Sequence, residues 1–251
     1  MPPPLRILQI TDPHLHEHRE ARMRGVNTDD TLVATLNQAM ADPQRPAAIL
    51  ATGDLVQDET RGGYERFRAL TGNLGVPVYC LPGNHDAPDL MREVLSEPPF
   101  QFCGAARHGD WTLVMLSSFA SNDAGGVLAE QELEFLERTL ASRASDHCLI
   151  ALHHQPVAMG SRWLDGVALR NADEFFRVCD RHAHVRGIVW GHVHQASDRE
   201  RRGVRLMSTP STCSQFKPES DHFALDTRPP GYRWLDLNGD GSISTSVVWV
   251  A

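Results

Sequence analysis

The sequence predicts an α/β protein in which strands and helices alternate along the chain. Short apolar runs, many of them rich in β-branched residues, have the length of buried strands. Segments with apolar residues at helical spacing separate several of these runs, and such alternation is typical of a layered α/β fold. The predicted strands cover residues 5–10, 47–52, 77–81, 111–116, 148–152, 187–190 and 204–207.

Three segments between these runs carry helix signals. Thr28 precedes two aspartates and then apolar residues at helical spacing, which predicts an N-cap followed by a helix. A second helix is predicted from Glu130, where leucines recur at positions 133, 136 and 140. Asn171, with Glu174 three positions later, resembles the capped start of a third helix.

The C-terminal region carries a turn signal between two strand-like runs. Residues 232–237 and 243–248 flank Asn238-Gly239-Asp240-Gly241, and Asn-Gly in this position indicates a β-hairpin. A calcium loop would need oxygen ligands at alternating positions and a later Glu, which this segment lacks. We therefore predict a C-terminal β-hairpin. Since no repeat or Pro/Ser-rich linker divides the chain, we also predict a single domain over residues 1–251.

Composition excludes several classes of protein. The 251 residues include 24 Lys+Arg against 32 Asp+Glu, and the net charge of −8 argues against binding to a nucleic acid polymer. No window has the roughly 20 consecutive apolar residues that cross a bilayer. An apolar run starts at Leu5, directly after Met1-Pro2-Pro3-Pro4, so we expect neither a signal peptide nor a membrane partner. Five scattered cysteines without C-x-x-C favour a reducing cytoplasm. The sequence does not indicate an oligomeric state.

Side chains of metal-ligand type follow five of the predicted strands. In a layered α/β sheet the carboxyl ends of the strands meet at one edge, so these residues are expected to share a pocket. In extended backbone, D-x-H and H-x-H direct two side chains to the same side, and preceding glycines allow sharp turns. Nitrogen and oxygen ligands without thiolate suit Mn, Fe, Zn or Ni. The clusters are Asp12-Pro13-His14, Gly53-Asp54, Gly83-Asn84-His85-Asp86, His153-His154 and Gly191-His192-Val193-His194.

The order of these clusters resembles the calcineurin-like metallophosphoesterases over residues 5–194. Further stretches are similar to the bacterial class III 3′,5′-cyclic AMP phosphodiesterases and extend the resemblance over nearly the whole chain. They cover residues 5–12, 25–28, 163–165, 169–172, 209–213, 215–218, 225–227 and 230–233. The resemblance implies a four-layer αββα sandwich with two divalent metal ions, Fe or Mn, at the sheet edges. It also implies hydrolysis of 3′,5′-cyclic AMP to 5′-AMP by in-line attack of a metal-bridging hydroxide.

The same resemblance implies four ligands for each metal, with Asp54 shared between them. Two carboxylates against two divalent cations leave a positive pocket for phosphate. Adjacent strand residues point to opposite sides, so only one of His153 and His154 is expected to be a ligand, and the resemblance favours His153. The first metal is assigned to Asp12, His14, Asp54 and His194, and the second to Asp54, Asn84, His153 and His192.

His85 resembles the family residue that protonates the leaving ribose oxygen or stabilises its charge. Asp58 is a candidate to orient His85, although it lies four residues after Asp54 and the usual spacing in related phosphatases is three. Trp163, Phe216 and Lys217 lie in long irregular segments, where an aromatic can stack on a base or simply pack within its loop. The expected substrate contacts are His14, Asp54, Asn84, His85, His153, His194, Trp163 and Phe216.

Two other functions are alternatives to the hydrolysis of 3′,5′-cyclic AMP. A broad phosphodiesterase for glycerophosphodiesters or 2′,3′-cyclic nucleotides would use the same motifs, because the metals contact phosphate and not the base. A non-catalytic scaffold on the same fold is the third possibility. Related scaffolds have lost metal ligands, whereas all seven ligand positions and His85 are occupied here. We therefore expect an enzyme whose binding partner is its substrate, a small cyclic nucleotide.

Overall fold

The computed structural model describes residues 3–250, in which two six-stranded mixed sheets form the centre of the molecule. The prediction that the chain has no signal peptide involves Met1 and Pro2, which lie outside the described residues. The two ends of the predicted domain lie outside them as well. The first sheet contains, in spatial order, β14 (Ile243–Trp249), β13 (Gly231–Leu237), β1 (Leu5–Ile10), β4 (Ala48–Thr52), β5 (Val78–Leu81) and β6 (Phe100–Phe102).

The second sheet repeats this plan with parallel strands inside and antiparallel strands at both edges. A separate two-stranded hairpin, β2 (Arg22–Met23) and β3 (Val26–Asn27), lies between β1 and the first helix in sequence. The strands of the second sheet, in spatial order, are β11 (Ser197–Arg201), β12 (Val204–Ser208), β10 (Val185–Trp190), β9 (His147–Ala151), β8 (Trp111–Met115) and β7 (Gly104–His108).

Six helices complete the described elements: α1 (Thr28–Met40), α2 (Arg61–Thr71), α3 (Pro88–Val94), α4 (Glu130–Ser142), α5 (Arg162–Asp165) and α6 (Ala172–Cys179). None of the helices in residues 3–250 combines the length and apolar composition needed to span a membrane.

Three hydrophobic clusters show how the layers stack. In β4, Ile49 packs in a cluster with α1 and α2, whereas Leu50 faces a cluster made of residues from both sheets. Leu136 of α4 and Phe175 of α6 pack against the outer face of the second sheet. Inner strands are therefore buried on both faces, as expected for parallel strands covered on each side. The predicted four-layer αββα arrangement is confirmed, whereas the single domain stays a prediction.

All nine predicted strands, including the C-terminal hairpin, are present with bounds within two residues of the prediction. Two helix caps differ from it, one in its residue and the other in its hydrogen bonds. Asn27, not Thr28, is the N-cap of α1, and its side chain accepts a hydrogen bond from the Asp30 amide at 3.1 Å. Asn171 is the N-cap of α6 as predicted, and its Nδ2 donates to Glu174 Oε2 at 3.3 Å, but its Oδ1 accepts from the Leu128 amide rather than from an amide of the helix.

Candidate active site

Loops that follow five strands bring the predicted ligands together. Those after β1, β4 and β5 belong to the first sheet, and those after β9 and β10 to the second. Asp12, His14 and His194 form one group whose ligand atoms lie within 4.8 Å of one another, and Asp12, Asp54 and His153 form another. Residues as far apart in the sequence as Asp12 and His194 therefore lie together. The side chains of the seven predicted ligands are buried, except that of Asn84, which is half-buried.

The side chains assigned to the first metal lie in mutual contact. The Nε2 atoms of His14 and His194 are 3.2 Å apart. His194 Nε2 lies 3.3 Å from Asp12 Oδ1, and His14 Nε2 lies 3.8 Å from Asp54 Oδ2. Two imidazoles and two carboxylates thus direct their polar atoms at one another.

The side chains assigned to the second metal adjoin the first group through Asp54. His153 Nε2 lies 3.4 Å from Asp54 Oδ2 and 3.3 Å from Asn84 Oδ1. The His192 ring lies 5.1 Å from the His153 ring between centroids, and its buried Nε2 has no hydrogen-bond partner. Asp54 Oδ2 therefore contacts one histidine of each group, His14 in the first and His153 in the second.

Backbone carbonyls orient two of these imidazoles. His153 Nδ1 lies 2.8 Å from the Thr52 carbonyl oxygen, and His194 Nδ1 lies 2.6 Å from the Ser214 carbonyl oxygen. A carbonyl only accepts, so we assign the proton to Nδ1 in both rings, which leaves Nε2 free to act as a ligand. Carbonyl partners of this kind commonly fix metal-binding histidines.

Burial and the close carboxylates set the protonation states. Burial lowers the pKa of both His14 and His192 to about 3, so these imidazoles are neutral. Burial opposes ionisation of Asp54, but the adjacent His153 outweighs it and holds the pKa of the carboxyl well below its usual range. Burial also disfavours charge on His153, yet Asp54 raises the pKa of that imidazole to about 9.

This donor set fits divalent cations. Ionised carboxylates and neutral imidazoles are the forms that bind metal, so His14 and His192 are already in the binding form, whereas His153 must release a proton when a cation binds. An unpartnered buried nitrogen such as His192 Nε2 costs about 1–3 kcal/mol unless something satisfies it. Oxygen and nitrogen donors without sulfur suit borderline or harder metals.

The loop backbones at the site are strained, which corrects the predicted extended geometry of D-x-H and H-x-H. Asp12, His14, Asp54, His192 and His194 all have positive φ, between 46° and 64°. Strand pairing ends just before them, and the amides of Asp12 and His14 bond instead to the Gly53 and Asp54 carbonyls, both at 3.0 Å. Such left-handed conformations of non-glycine residues cluster at functional sites.

The glycines of the motifs have two different roles. Gly53 has a φ of +93°, which agrees with the predicted sharp turn. Gly83 and Gly191 do not adopt positive φ, and their role is close approach instead. A Cβ at Gly83 would lie 2.5 Å from the Asp54 amide nitrogen, and one at Gly191 would lie 2.7 Å from Asp12 Oδ2.

His153 and His154 are both fully buried but have different surroundings. His154 Nδ1 lies 2.8 Å from Ser118 Oγ. Its ring also packs against His192 at 4.7 Å between centroids. This arrangement favours His153 as the ligand beside Asp54, although His154 offers a nitrogen within 4.8 Å of His153 and His192.

Gln57, not Asp58, contacts His85. The Asp58 carboxylate accepts hydrogen bonds from the Glu17 amide and the Thr60 hydroxyl, both at 2.8 Å. Gln57 Nε2 lies 3.2 Å from His85 Nδ1. Gln57 is three residues after Asp54, and this spacing was the signal in the sequence that pointed to it.

Asp86 is a further residue whose role the sequence analysis missed. Its buried carboxylate accepts hydrogen bonds from the Leu55 amide at 3.1 Å, the Gly83 amide at 2.8 Å and the Tyr64 hydroxyl at 3.0 Å. It therefore ties the loop that carries Asp54 to the loop that carries Asn84. The sequence feature that could have indicated this role is the position of Asp86 directly after Asn84 and His85.

A cavity of about 290 Å³ opens onto the site. His14, Asp54, Asn84, His85, His192 and His194 line one end, and Met23, Arg24, Trp163, Leu164, Val167 and Phe216 line much of the rest. Trp163 is half-buried. Phe216 is only 6% exposed, and its ring stacks on His194 with centroids 4.0 Å apart. Lys217 is exposed and does not line this cavity.

Known proteins resemble this chain in both sequence and fold. It is 39% identical over 249 residues to the 3′,5′-cyclic adenosine monophosphate phosphodiesterase CpdA of Haemophilus influenzae, covering 98% of this chain and 90% of the relative. The protein of the same name from Escherichia coli K12 is 39% identical, over 97% of this chain and 89% of the length of that relative. That from Pseudomonas aeruginosa is 36% identical, over 96% of this chain and 88% of the relative.

Solved structures agree on the fold at much lower identity. A dimetal phosphatase from Danio rerio superposes with a TM-score of 0.71 at 14% identity, covering 100% of both chains. GAP50, described as the anchor in the inner membrane complex of Plasmodium, has a TM-score of 0.68 at 12% identity, over 99% of this chain and 85% of that one. The family model for calcineurin-like phosphoesterases matches residues 5–196. On this match and these relatives, the chain belongs to the calcineurin-like phosphoesterase family.

Proposed function

We propose that this protein hydrolyses 3′,5′-cyclic AMP to 5′-AMP in the cytoplasm with two divalent cations, Fe or Mn. The observation that carries the proposal is the buried cluster in which Asp54 Oδ2 contacts both His14 and His153. The cyclic AMP specificity is supported by the names of relatives that match nearly the whole chain. The five free cysteines support the reducing compartment.

The proposed ligands follow the two groups of contacts. The first cation would be held by Asp12, His14, Asp54 and His194, and the second by Asp54, Asn84, His153 and His192. When bound, the two cations supply an activated water and draw negative charge from the phosphate. Because Asp54 Oδ2 lies against both groups of side chains, we propose that Asp54 would be shared between the two cations.

His85 is the proposed proton donor. It is half-buried, lines the cavity and lies edge-on to His14, with ring centroids 5.2 Å apart. Its amide donates to Asp54 Oδ1 at 2.8 Å, and this bond positions the backbone of His85 against the metal-binding carboxylate. When the bond from phosphorus to the ribose 3′ oxygen breaks, that oxygen is a strong base, and His85 donates the proton it needs.

The proposed substrate contacts fall into two sets. The proposed contacts of the phosphate are His14, Asp54, Asn84, His85, His153 and His194, all of which line the cavity except the fully buried His153. Trp163 and Phe216 are assigned to the remainder of the substrate. Trp163 is suited to direct contact because its half-buried ring lines the cavity and its buried Nε1 lacks a partner. Phe216 is packed on His194, so we expect part of its effect to pass through that ligand.

The test compares turnover of the purified protein on four diesters: 3′,5′-cyclic AMP, 2′,3′-cyclic AMP, glycerophosphocholine and methyl p-nitrophenyl phosphate. The proposal expects the highest kcat/KM for 3′,5′-cyclic AMP and about two equivalents of metal. A higher kcat/KM for 2′,3′-cyclic AMP or glycerophosphocholine would favour the broad phosphodiesterase. A protein that binds no metal and turns over none of the four would favour the scaffold.

A further inference from the structure

Arg24 is a cationic residue at the cavity that the proposed function does not use. It is the one Arg or Lys among the residues that line the cavity. Nearby arginines have partners: Arg19 pairs with Asp29 at 3.2 Å, and Arg22 donates to the Gly25 carbonyl at 3.1 Å. Within residues 3–250, the Arg24 guanidinium has neither an ion pair nor a hydrogen bond.

The backbone at Arg24 is in an unfavourable conformation for arginine. Arg24 and Gly25 form the two-residue turn between β2 and β3, where Met23 pairs with Val26. Both turn residues have positive φ, 52° and 83°. A turn of this kind favours Asn, Asp or Gly at its first position, and a strained residue of another type is a reason to look for a function.

Aromatic rings hold the Arg24 guanidinium at the cavity mouth. Its Cζ lies 4.4 Å from the centroid of the Phe223 ring and 5.4 Å from that of Phe216. Trp163 contacts both rings edge-on, at 5.2 and 5.1 Å between centroids. Phe223 is 46% exposed although it is a large apolar side chain. We call Arg24, Trp163, Phe216 and Phe223 the mouth cluster.

The position of the mouth cluster indicates which part of a substrate it meets. Phe216 stacks on the proposed ligand His194, and Arg24 lies next to Phe216 and the apolar Met23 rather than among the ligands. A phosphate held at the metal end leaves the base to project toward the mouth. Guanidinium planes and aromatic rings are surfaces on which bases stack.

We propose that Arg24 is a specificity-determining residue that contacts the nucleobase of a cyclic nucleotide whose phosphate is held at the metal centre. This inference rests on the proposed function. The aromatic rings orient the planar guanidinium, and its free N–H groups are directed toward acceptors on the base.

The test uses Arg24→Asn, which removes the guanidinium and places a residue favoured by the turn, so folding is preserved. We expect kcat/KM for 3′,5′-cyclic AMP to fall about tenfold, the size expected for losing one stacking partner. Methyl p-nitrophenyl phosphate, which carries one negative charge and no base, should change less than about twofold. Arg24→Lys should recover only part of the loss, because lysine keeps the charge but not the planar surface.

Arg22→Asn is the matched control, because Arg22 lies on the same hairpin and does not line the cavity. It should leave both substrates within about twofold of wild type. An equal loss on both substrates in Arg24→Asn would mean that Arg24 attracts the phosphate, and this would overturn the inference. A loss on neither substrate, or the same loss in Arg22→Asn, would overturn it as well.

A second measurement separates this inference from the proposed function. If wild type turns over methyl p-nitrophenyl phosphate but not 3′,5′-cyclic AMP, the proposed function fails and the base contact can still be measured by product inhibition. Arg24→Asn should then raise the inhibition constant of 5′-AMP about tenfold and leave that of inorganic phosphate unchanged. Equal changes for both inhibitors would contradict the base contact.

Discussion

The two ends of the cavity are built in different ways. At the metal end, the proposed ligands sit on loops directly after strands, and backbone bonds such as His14 amide to Asp54 carbonyl tie one loop to the next. The mouth cluster instead comes from a two-residue turn, the four-residue helix α5 and an irregular segment after β12. Its members meet mainly through ring packing.

Because of this difference, we expect substitutions at the two ends of the cavity to have different effects on activity. The strained loops of the metal end persist because hydrogen bonds, including those to Asp86, over-determine them. The mouth cluster has few such bonds, and local elements of this kind are less stable and easier to alter. Changes to the proposed metal ligands should therefore impair every substrate, whereas changes to mouth residues that do not pack on a ligand should discriminate between substrates with and without a base.

The largest effect should follow Asp54→Ala. Asp54 is the proposed shared ligand, and its carboxylate lies closer to His153 than that of Asp12 does, at 3.4 Å against 4.0 Å. Activity on every diester should therefore be abolished, and bound metal, measured on the purified protein, should fall by at least one equivalent. Asn84→Ala is the milder comparison, because the second cation keeps two imidazoles and the shared carboxylate. Near-normal turnover of Asp54→Ala in added manganese would contradict the binuclear assignment.

His85→Ala should have the next largest effect, and it should depend on the leaving group. Loss of a general acid typically costs about 10²–10⁴-fold, which we expect for 3′,5′-cyclic AMP. Nitrophenolate leaves without a proton, so methyl p-nitrophenyl phosphate should lose far less, and metal content should stay intact. Equal losses on both substrates would indicate that His85 orients the phosphate instead.

Gly191→Ala tests the close packing behind the ligands. The new Cβ would lie 2.7 Å from Asp12 Oδ2 and 2.9 Å from the Thr52 carbonyl, so the Asp12 loop must shift. We expect metal affinity to fall about 10–100-fold, as for other changes just behind the ligands, measured by titration of the metal-free protein. The control is Gly166→Ala, where the nearest atom lies 3.4 Å away. Unchanged affinity in Gly191→Ala would show that the loops are less constrained than the geometry indicates.

The smallest effect, and the sharpest contrast, should come from Trp163→Ala. Removing this half-buried ring should lower kcat/KM for 3′,5′-cyclic AMP about tenfold and leave methyl p-nitrophenyl phosphate nearly unchanged. Phe216→Ala should lower both, because its ring supports His194. If the two variants behave alike on both substrates, the distinction between the two ends of the cavity is wrong.

The amino-acid pattern was enough to predict nine of the fourteen strands in residues 3–250, including the C-terminal hairpin, and to predict which candidate ligands meet at the site. Buried strands are continuous apolar runs, and ligands that follow them must converge where parallel strands end together. Asp12 and His194 could therefore be brought together without coordinates. The spacing of the motifs also carried the resemblance to the family, and the division of ligands between two metals came from that resemblance alone.

How each site residue is held depends on contacts between distant segments of the chain. Gln57 rather than Asp58 contacts His85 because the loop turns Asp58 toward Glu17 and Thr60. The left-handed backbone at the ligands depends on bonds between loops of different strands, and no local sequence signal encodes such bonds. Arg24 reaches the cavity only because a hairpin distant in sequence packs against Phe216 and Phe223. Local patterns report which face is buried, whereas these contacts depend on how separate segments pack.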